Sequence, residues 1–154
     1  LVGRKEVKIV FWKRKTIGLG DQNVTELTIL EYKKLFSIKL FKFHKTNGKQ
    51  DRFHTHAFNA YSFLLKGNYI EEVLEGNVIK KLPRNRSRVL FIPKDSFHRI
   101  TKSTDCTTLL ITGPWGKTFK ELTYTGRGMY KETECGEGRK VLSAGVLRKL
   151  YHEA

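Results

Sequence analysis

Between Thr25 and Gly113 the chain breaks into short runs of β-branched and aromatic residues, separated by turn signals at roughly eight-to-twelve-residue spacing. TELTILEY at Thr25 to Tyr32, LFSIKLFKFH at Leu35 to His44, Tyr69 to Leu74, Val78 to Leu82, RVLFI at Arg88 to Ile92, His98 to Thr101 and TTLLIT at Thr107 to Thr112 all read as strands. Phe53 to Leu65 reads as another, with a bend near Ala57 to Ala60. Thr46-Asn47-Gly48, Gly67-Asn68, Gly76-Asn77, the polar Pro83 to Ser87, Pro93 and Gly113-Pro114 supply the breaks. Few helical periods occur in this stretch, so the expectation is an all-β sandwich or barrel.

The ends are less regular. VKIVFW at Val7 to Trp12 predicts a strand, followed by a loop through Lys13, Arg14, Lys15 and a Gly18 to Gly20 turn. In Leu35 to His44 the alternation of Phe36, Ile38, Leu40 against Ser37, Lys39, Phe41 predicts one buried face. Gly126 to Gly138 reads as a glycine-rich loop or linker. Val141, Leu142, Val146, Leu147 and Leu150 fall at helical spacing, which predicts a short C-terminal amphipathic helix over Arg139 to His152. The expected organisation is a barrel over residues 1–125 and a linker with helix over 126–154.

At 154 residues and 39% hydrophobic content the chain matches one ordinary domain with a real core. Thirty Lys and Arg against 15 Asp and Glu leave a net charge of +15, densest in the first fifty residues with 12 basic and 4 acidic side chains. That balance allows a polyanion such as nucleic acid as a partner, or a solvated basic surface. Cys106 and Cys135 are too few for a disulfide framework and form no CxxC pair. No apolar run approaches the roughly 18 to 20 residues of a bilayer span. We therefore expect an intracellular protein in a reducing compartment, without membrane insertion. Phosphate-binding glycine loops, hydrolase nucleophile elbows and zinc-finger patterns are missing.

Chemistry concentrates in DRFHTHAFNAYSFLLKG, Asp51 to Gly67. His54 and His56 stand one residue apart, so on a strand both imidazoles point the same way. His98, in FIPKDSFHRI, comes from a later strand and can meet them inside a barrel, leaving positions open for water or substrate. Two half-exposed strand histidines would be the bland alternative.

With that third histidine the sequence resembles the cupins. Their first motif matches at His54, His56 and Gly67 and their second at Pro93 and His98. The motif's glutamate falls on Ala60, its second-motif glycines on Ser87 and Asp95, and its closing asparagine on Lys102. The resemblance implies a double-stranded β-helix, or jelly-roll barrel, with a three-histidine centre like that of the thiol dioxygenase branch. It is closer to small single-domain cupins of bacterial and bacteriophage genomes, through LLKGNYIEE, the HRI tripeptide and LLITGPWG. Thr55 and Ala57 depart from that subgroup, and the tail after Trp115 is not covered. A homodimer is implied by the resemblance alone.

If Tyr69 faces the barrel interior, so does Glu71, as a replacement carboxylate ligand or a general base. A register slipped by one would bring in Glu72 instead. Arg52, Arg86, Arg88 and Arg99 lie near the motifs and are candidates for a substrate carboxylate or phosphate, Arg88 foremost. Tyr61, Phe63, Tyr69 and Trp115 line a pocket or fill a core.

Three functions remain open. The leading one is an enzyme that holds a divalent ion on His54, His56 and His98. Fe(II) is favoured, with Zn, Ni, Mn or Cu as alternatives, and the chemistry is dioxygenase-like on a small-molecule substrate. The second is a non-catalytic, basic binding or structural cupin, associated with nucleic acid. The third is a metal-free sugar isomerase or epimerase.

Overall fold

The computed structural model of the protein describes residues 10–19, 22–44, 52–85, 89–143 and 145–153. These hold β1 (Val10–Leu19), β2 (Gln22–Tyr32), β3 (Phe36–Phe43), β4 (Arg52–His54), β5 (Ala60–Lys66), β6 (Tyr69–Glu75), β7 (Val78–Arg84) and β8 (Val89–Ile92). Then follow β9 (His98–Ser103), β10 (Cys106–Thr112), β11 (Phe119–Gly126), β12 (Met129–Cys135), β13 (Val141–Ser143), β14 (Leu147–Lys149) and β15 (Tyr151–His152). A single 3-10 turn, Glu137–Arg139, is the only helical element among the described residues.

Two sheets form. The first has the order β1-β2-β3-β10-β5-β8, and the second β13-β12-β11-β4-β9-β6-β7-β15, with β14 also on β12. Every pairing is antiparallel except β15 on β7. From β3 to β11 every connection except β6 to β7 switches sheets, as β5 and β6 do across Gly67-Asn68. Gly67 has φ of 78°, and a Cβ there would collide with the Asp105 carbonyl oxygen, so the crossing needs glycine for both conformation and space.

Most expected strands form, and the differences have local causes. Lys13 to Lys15 lie within β1, because β1 continues in register along β2 from Val10 opposite Glu31 to Leu19 opposite Gln22. Gly20, and the part of the VKIVFW run before Val10, lie outside the described residues. Pro83 sits inside β7 rather than in a loop. β15 covers β7 only at Val78 and Ile79, so the open side of the strand tolerates a residue that cannot donate.

Two expectations for the tail are corrected. The glycine-rich stretch builds a hairpin between β11 and β12, in which Arg127 and Gly128 occupy a two-residue loop, both at positive φ. That is the backbone a tight hairpin requires. The expected helix over Arg139 to His152 is replaced by β13, β14 and β15. Here the edges of β12 and β7 offer backbone partners, and this outweighs a helical spacing whose Val141, Leu142, Val146 and Leu147 stay exposed.

Strand alternation in the second sheet gives it two working faces. Phe53, Leu122, Ile79, Tyr130 and Leu150 pack together on one side as a core. His54, Glu71 and His98 point to the other, into a cavity of about 270 Å³ whose far wall is the first sheet.

Candidate metal centre

β4 and β9 run side by side with His54 directly opposite His98. His56 follows just past the end of β4, on a segment fixed to β11 by two bonds. The Thr55 N–H donates to the Lys120 carbonyl at 2.9 Å, and the Lys120 N–H donates to the Thr55 hydroxyl at 2.8 Å. Thr55, a departure from the subgroup pattern, therefore points away from the cavity and anchors the histidine pair. The three imidazoles converge as the spacing predicts. Ring centroids of His54 and His98 are 4.6 Å apart, of His56 and His98 4.9 Å, and of His54 and His56 5.1 Å.

One ring nitrogen from each histidine can be chosen so that all three lie within 4.8 Å of one another, and Nε2 of His56 is 2.7 Å from Nε2 of His98. Two imidazole nitrogens about 2.1 Å from one ion stand about 3 Å apart when they bind at a right angle. The donor set therefore fits a divalent metal held on one face, with the remaining positions turned to the cavity.

Behind His98 sits Glu71. His98 Nδ1 is 2.6 Å from Glu71 Oε1, and Arg84 Nε donates to Glu71 Oε2 at 2.8 Å. With Nδ1–H donating, His98 presents the lone pair of Nε2 to the cavity, the orientation a metal-ligating histidine needs. Burial alone would raise the Glu71 pKa. Hydrogen bonds and charge from His98 and then Arg84 outweigh it and hold the carboxyl below its usual range. His56 faces the cavity, so it keeps some accessible surface while protein walls surround it. Desolvation first, and the neighbouring His98 second, push its pKa down to about 3 despite the opposing pull of Glu71. Both effects favour a neutral His56 imidazole at neutral pH, as metal binding requires.

The two glutamates that register left open are both buried, on opposite faces. Glu71 shares the cavity face with Tyr69, while Glu72 accepts from Arg99 Nε at 2.7 Å on the other side, where the Arg99 guanidinium lies 4.2 Å from the Phe53 ring centroid. Arg99 is thus engaged away from the imidazoles, whereas Arg52, paired with Glu121 at 2.9 Å, shares the His54 face of β4, with Glu121 directly opposite His54. Arg86 and Arg88 lie outside the described residues.

Sequence reasoning passed over Arg84 and Lys39. Arg84 was findable from the Gly76-Asn77 hairpin, which pairs Glu75 with Val78 and, counting back, Glu71 with Leu82 and Tyr69 with Arg84. Lys39 was hidden by the alternation in β3. One face is buried there, but it is Ser37, Lys39 and Phe41 that turn inward. Lys39 Nζ reaches Glu26 Oε1 at 2.6 Å and Glu31 Oε1 at 3.3 Å, and lies 4.6 Å from the Trp115 ring centroid. Trp115 Nε1 donates to Ser37 at 3.0 Å and to Thr112 at 3.1 Å, fixing the ring beside Phe58 and, through it, His56.

A double-sheet β barrel with three convergent imidazoles at one wall of its cavity defines the class. No family model and no curated protein sequence matches the chain. Solved structures do match in fold. PAC13 from Streptomyces, in a histidine-to-glutamine variant with uridine, has a TM-score of 0.54 at 6% identity over 80% of this chain and 94% of that one. Oxalate decarboxylase from Bacillus subtilis at pH 4.6 has a TM-score of 0.51 at 11% identity, over 73% of this chain and 30% of that one. A second structure of the same decarboxylase, concerned with its Mn(II) centres, gives the same TM-score and identity, covering 73% and 31%. The chain adopts the cupin fold, with a three-histidine cluster suited to a divalent metal.

Proposed function

We propose that the protein is a metal-dependent cupin enzyme in which His54, His56 and His98 hold one divalent ion. Fe(II) is favoured, and a small, largely apolar substrate occupies the barrel cavity. One observation carries this reading: the imidazole nitrogens converge on a cavity walled by Phe41, Phe43, Phe58, Ile92 and Leu110. Neutral nitrogen ligands in a dry site suit Fe(II) but also admit Mn, Zn, Ni or Cu.

When bound, such an ion supplies Lewis acidity and, as Fe(II), activation of dioxygen. In the dioxygenase form both oxygen atoms enter the substrate, which furnishes the electrons, so no further reductant is required. The chain's own residues do the rest. Glu71 fixes the His98 tautomer, Arg84 keeps Glu71 ionised, and the aromatic wall excludes water.

Elemental analysis of untagged protein reconstituted anaerobically with Fe(II) is the test. About one ion per chain, lost in His98→Ala, is the expected result, and no stoichiometric metal would overturn the reading. A second reading, a non-catalytic cupin bound to nucleic acid, rests on the charge of +15. It expects generic DNA to shift at low ionic strength, and unchanged mobility excludes it.

A further inference from the structure

Next to the cavity lies a larger cleft, of about 830 Å³. Lys13 and Lys15 line it from β1, two residues apart and so on one face of that strand; Lys33 lines it from the turn after β2, and Lys117 from the segment before β11. Glu26, Lys39 and Trp115 line both spaces, so these three side chains form the partition between cleft and cavity.

The charges around the cleft do not cancel. Of its glutamates, Glu26 and Glu31 are held by Lys39, and Glu137 lies 3.8 Å from Lys33. Lys13, Lys15 and Lys117 have no acidic partner among the described residues. The cavity is the reverse. Lys39 is already tied to two carboxylates and Arg84 to Glu71, so apart from an ion held on the histidines an anion placed among the aromatic walls would meet no unengaged cation among the described residues. Burying an unpaired anion is costly, and a charged part of a ligand belongs in the cleft.

We propose that the cleft is a recognition subsite for an anionic group of the substrate, a phosphate monoester or a carboxylate. The group is carried on a flat apolar body that rests against Trp115 and enters the metal cavity. This rests on the reading of that cavity as the reaction site. Separate ammonium groups act as point charges without the planar fork that matches a carboxylate, so a dianionic phosphate monoester gains more from them.

The test uses the full chain freed of metal, titrated with phenyl phosphate, benzoate, phenol and inorganic phosphate and followed by calorimetry. Phenyl phosphate is expected to bind about tenfold more tightly than phenol or inorganic phosphate, with an affinity that falls as salt rises. The double variant Lys15→Ala/Lys117→Ala should lose that advantage and keep its phenol binding. Both side chains are exposed, and an unchanged Tm verifies the fold. Benzoate matching phenyl phosphate, and weakened by the same variant, assigns the subsite to a carboxylate. Equal affinity for phenyl phosphate and phenol, or wild-type binding by the double variant, overturns the proposal. Because metal is left out, its failure is independent of whether the histidines hold an ion.

Discussion

Glu71 is the residue on which the site turns, since its two oxygens face different partners and both fix its charge. Replacing it with Gln keeps the shape but removes the charge that holds the His98 N–H and balances Arg84. Metal affinity is expected to fall about 10–100-fold, as for other losses of a carboxylate behind a ligating histidine, and competition against a chromophoric chelator measures it. Acid should act through the same groups. His56 has a folded pKa of about 3, well below that of a free imidazole, so the unfolded chain takes up a proton first as pH falls below about 6.5. Glu71 is also depressed, and the stability it contributes is present above about pH 4.3 and lost as pH falls further. The metal-free protein should therefore lose stability steadily from neutral pH towards pH 3. His56→Gln flattens the upper part of that profile in urea melts at fixed pH; a slope unchanged in the variant contradicts this. His54, His56 and His98 were legible because their spacing and strand parity are local properties. Lys39 was not, because a buried ion cluster inverts the usual link between polarity and exposure.

Among elements, the short β4 matters most, since it brings His54 onto β9 and holds Phe53 in the core on its opposite face. That core depends on the C-terminal segment. β14 pairs with β12, β15 pairs with β7, and Leu150 lies buried between the two contacts with its N–H on the Gly128 carbonyl. Arg148 strengthens the bridge through Glu132 at 3.1 Å and the Gly76 carbonyl at 3.1 Å. Leu150→Ala should cost about 2–5 kcal/mol in denaturant unfolding, the usual range for a leucine truncated in a packed core. Gly67→Ala, which forces a positive φ and a backbone clash at Asp105, should cost more than about 1 kcal/mol. Most strands between Thr25 and Gly113 were legible because each carries its own period and turn signals. The run from Phe53 to Leu65, however, expected as one bent strand, divides into β4 and β5 on different sheets. The tail misled because its strands exist only by virtue of distant edges on β12 and β7, and an isolated reading of Val141 to Leu150 finds the helical spacing instead.

For the whole molecule, the two sheets have unlike exteriors. The second covers its outer face with the C-terminal bridge. The first leaves Tyr61, Val89 and Phe91 at 53%, 58% and 50% exposure. Ile111 lies opposite Tyr61 and continues this face, with Phe63 opposite Val89. The Tyr61 and Phe91 rings meet at 5.1 Å. We propose that this apolar face pairs two copies of the chain. None of these positions is charged, so an acidic partner finds no complement there, whereas a second copy across a twofold axis matches the face with itself. Two chains of charge +15 also repel, and screening that repulsion should favour pairing. Sedimentation is therefore expected to show a homodimer that tightens as salt rises, opposite in sign to the salt response expected of anion binding in the lysine cleft. Phe91→Lys should give a monomer that retains its metal, because Phe91 points away from the cavity; a wild-type chain that stays monomeric at high salt and high concentration contradicts the pairing.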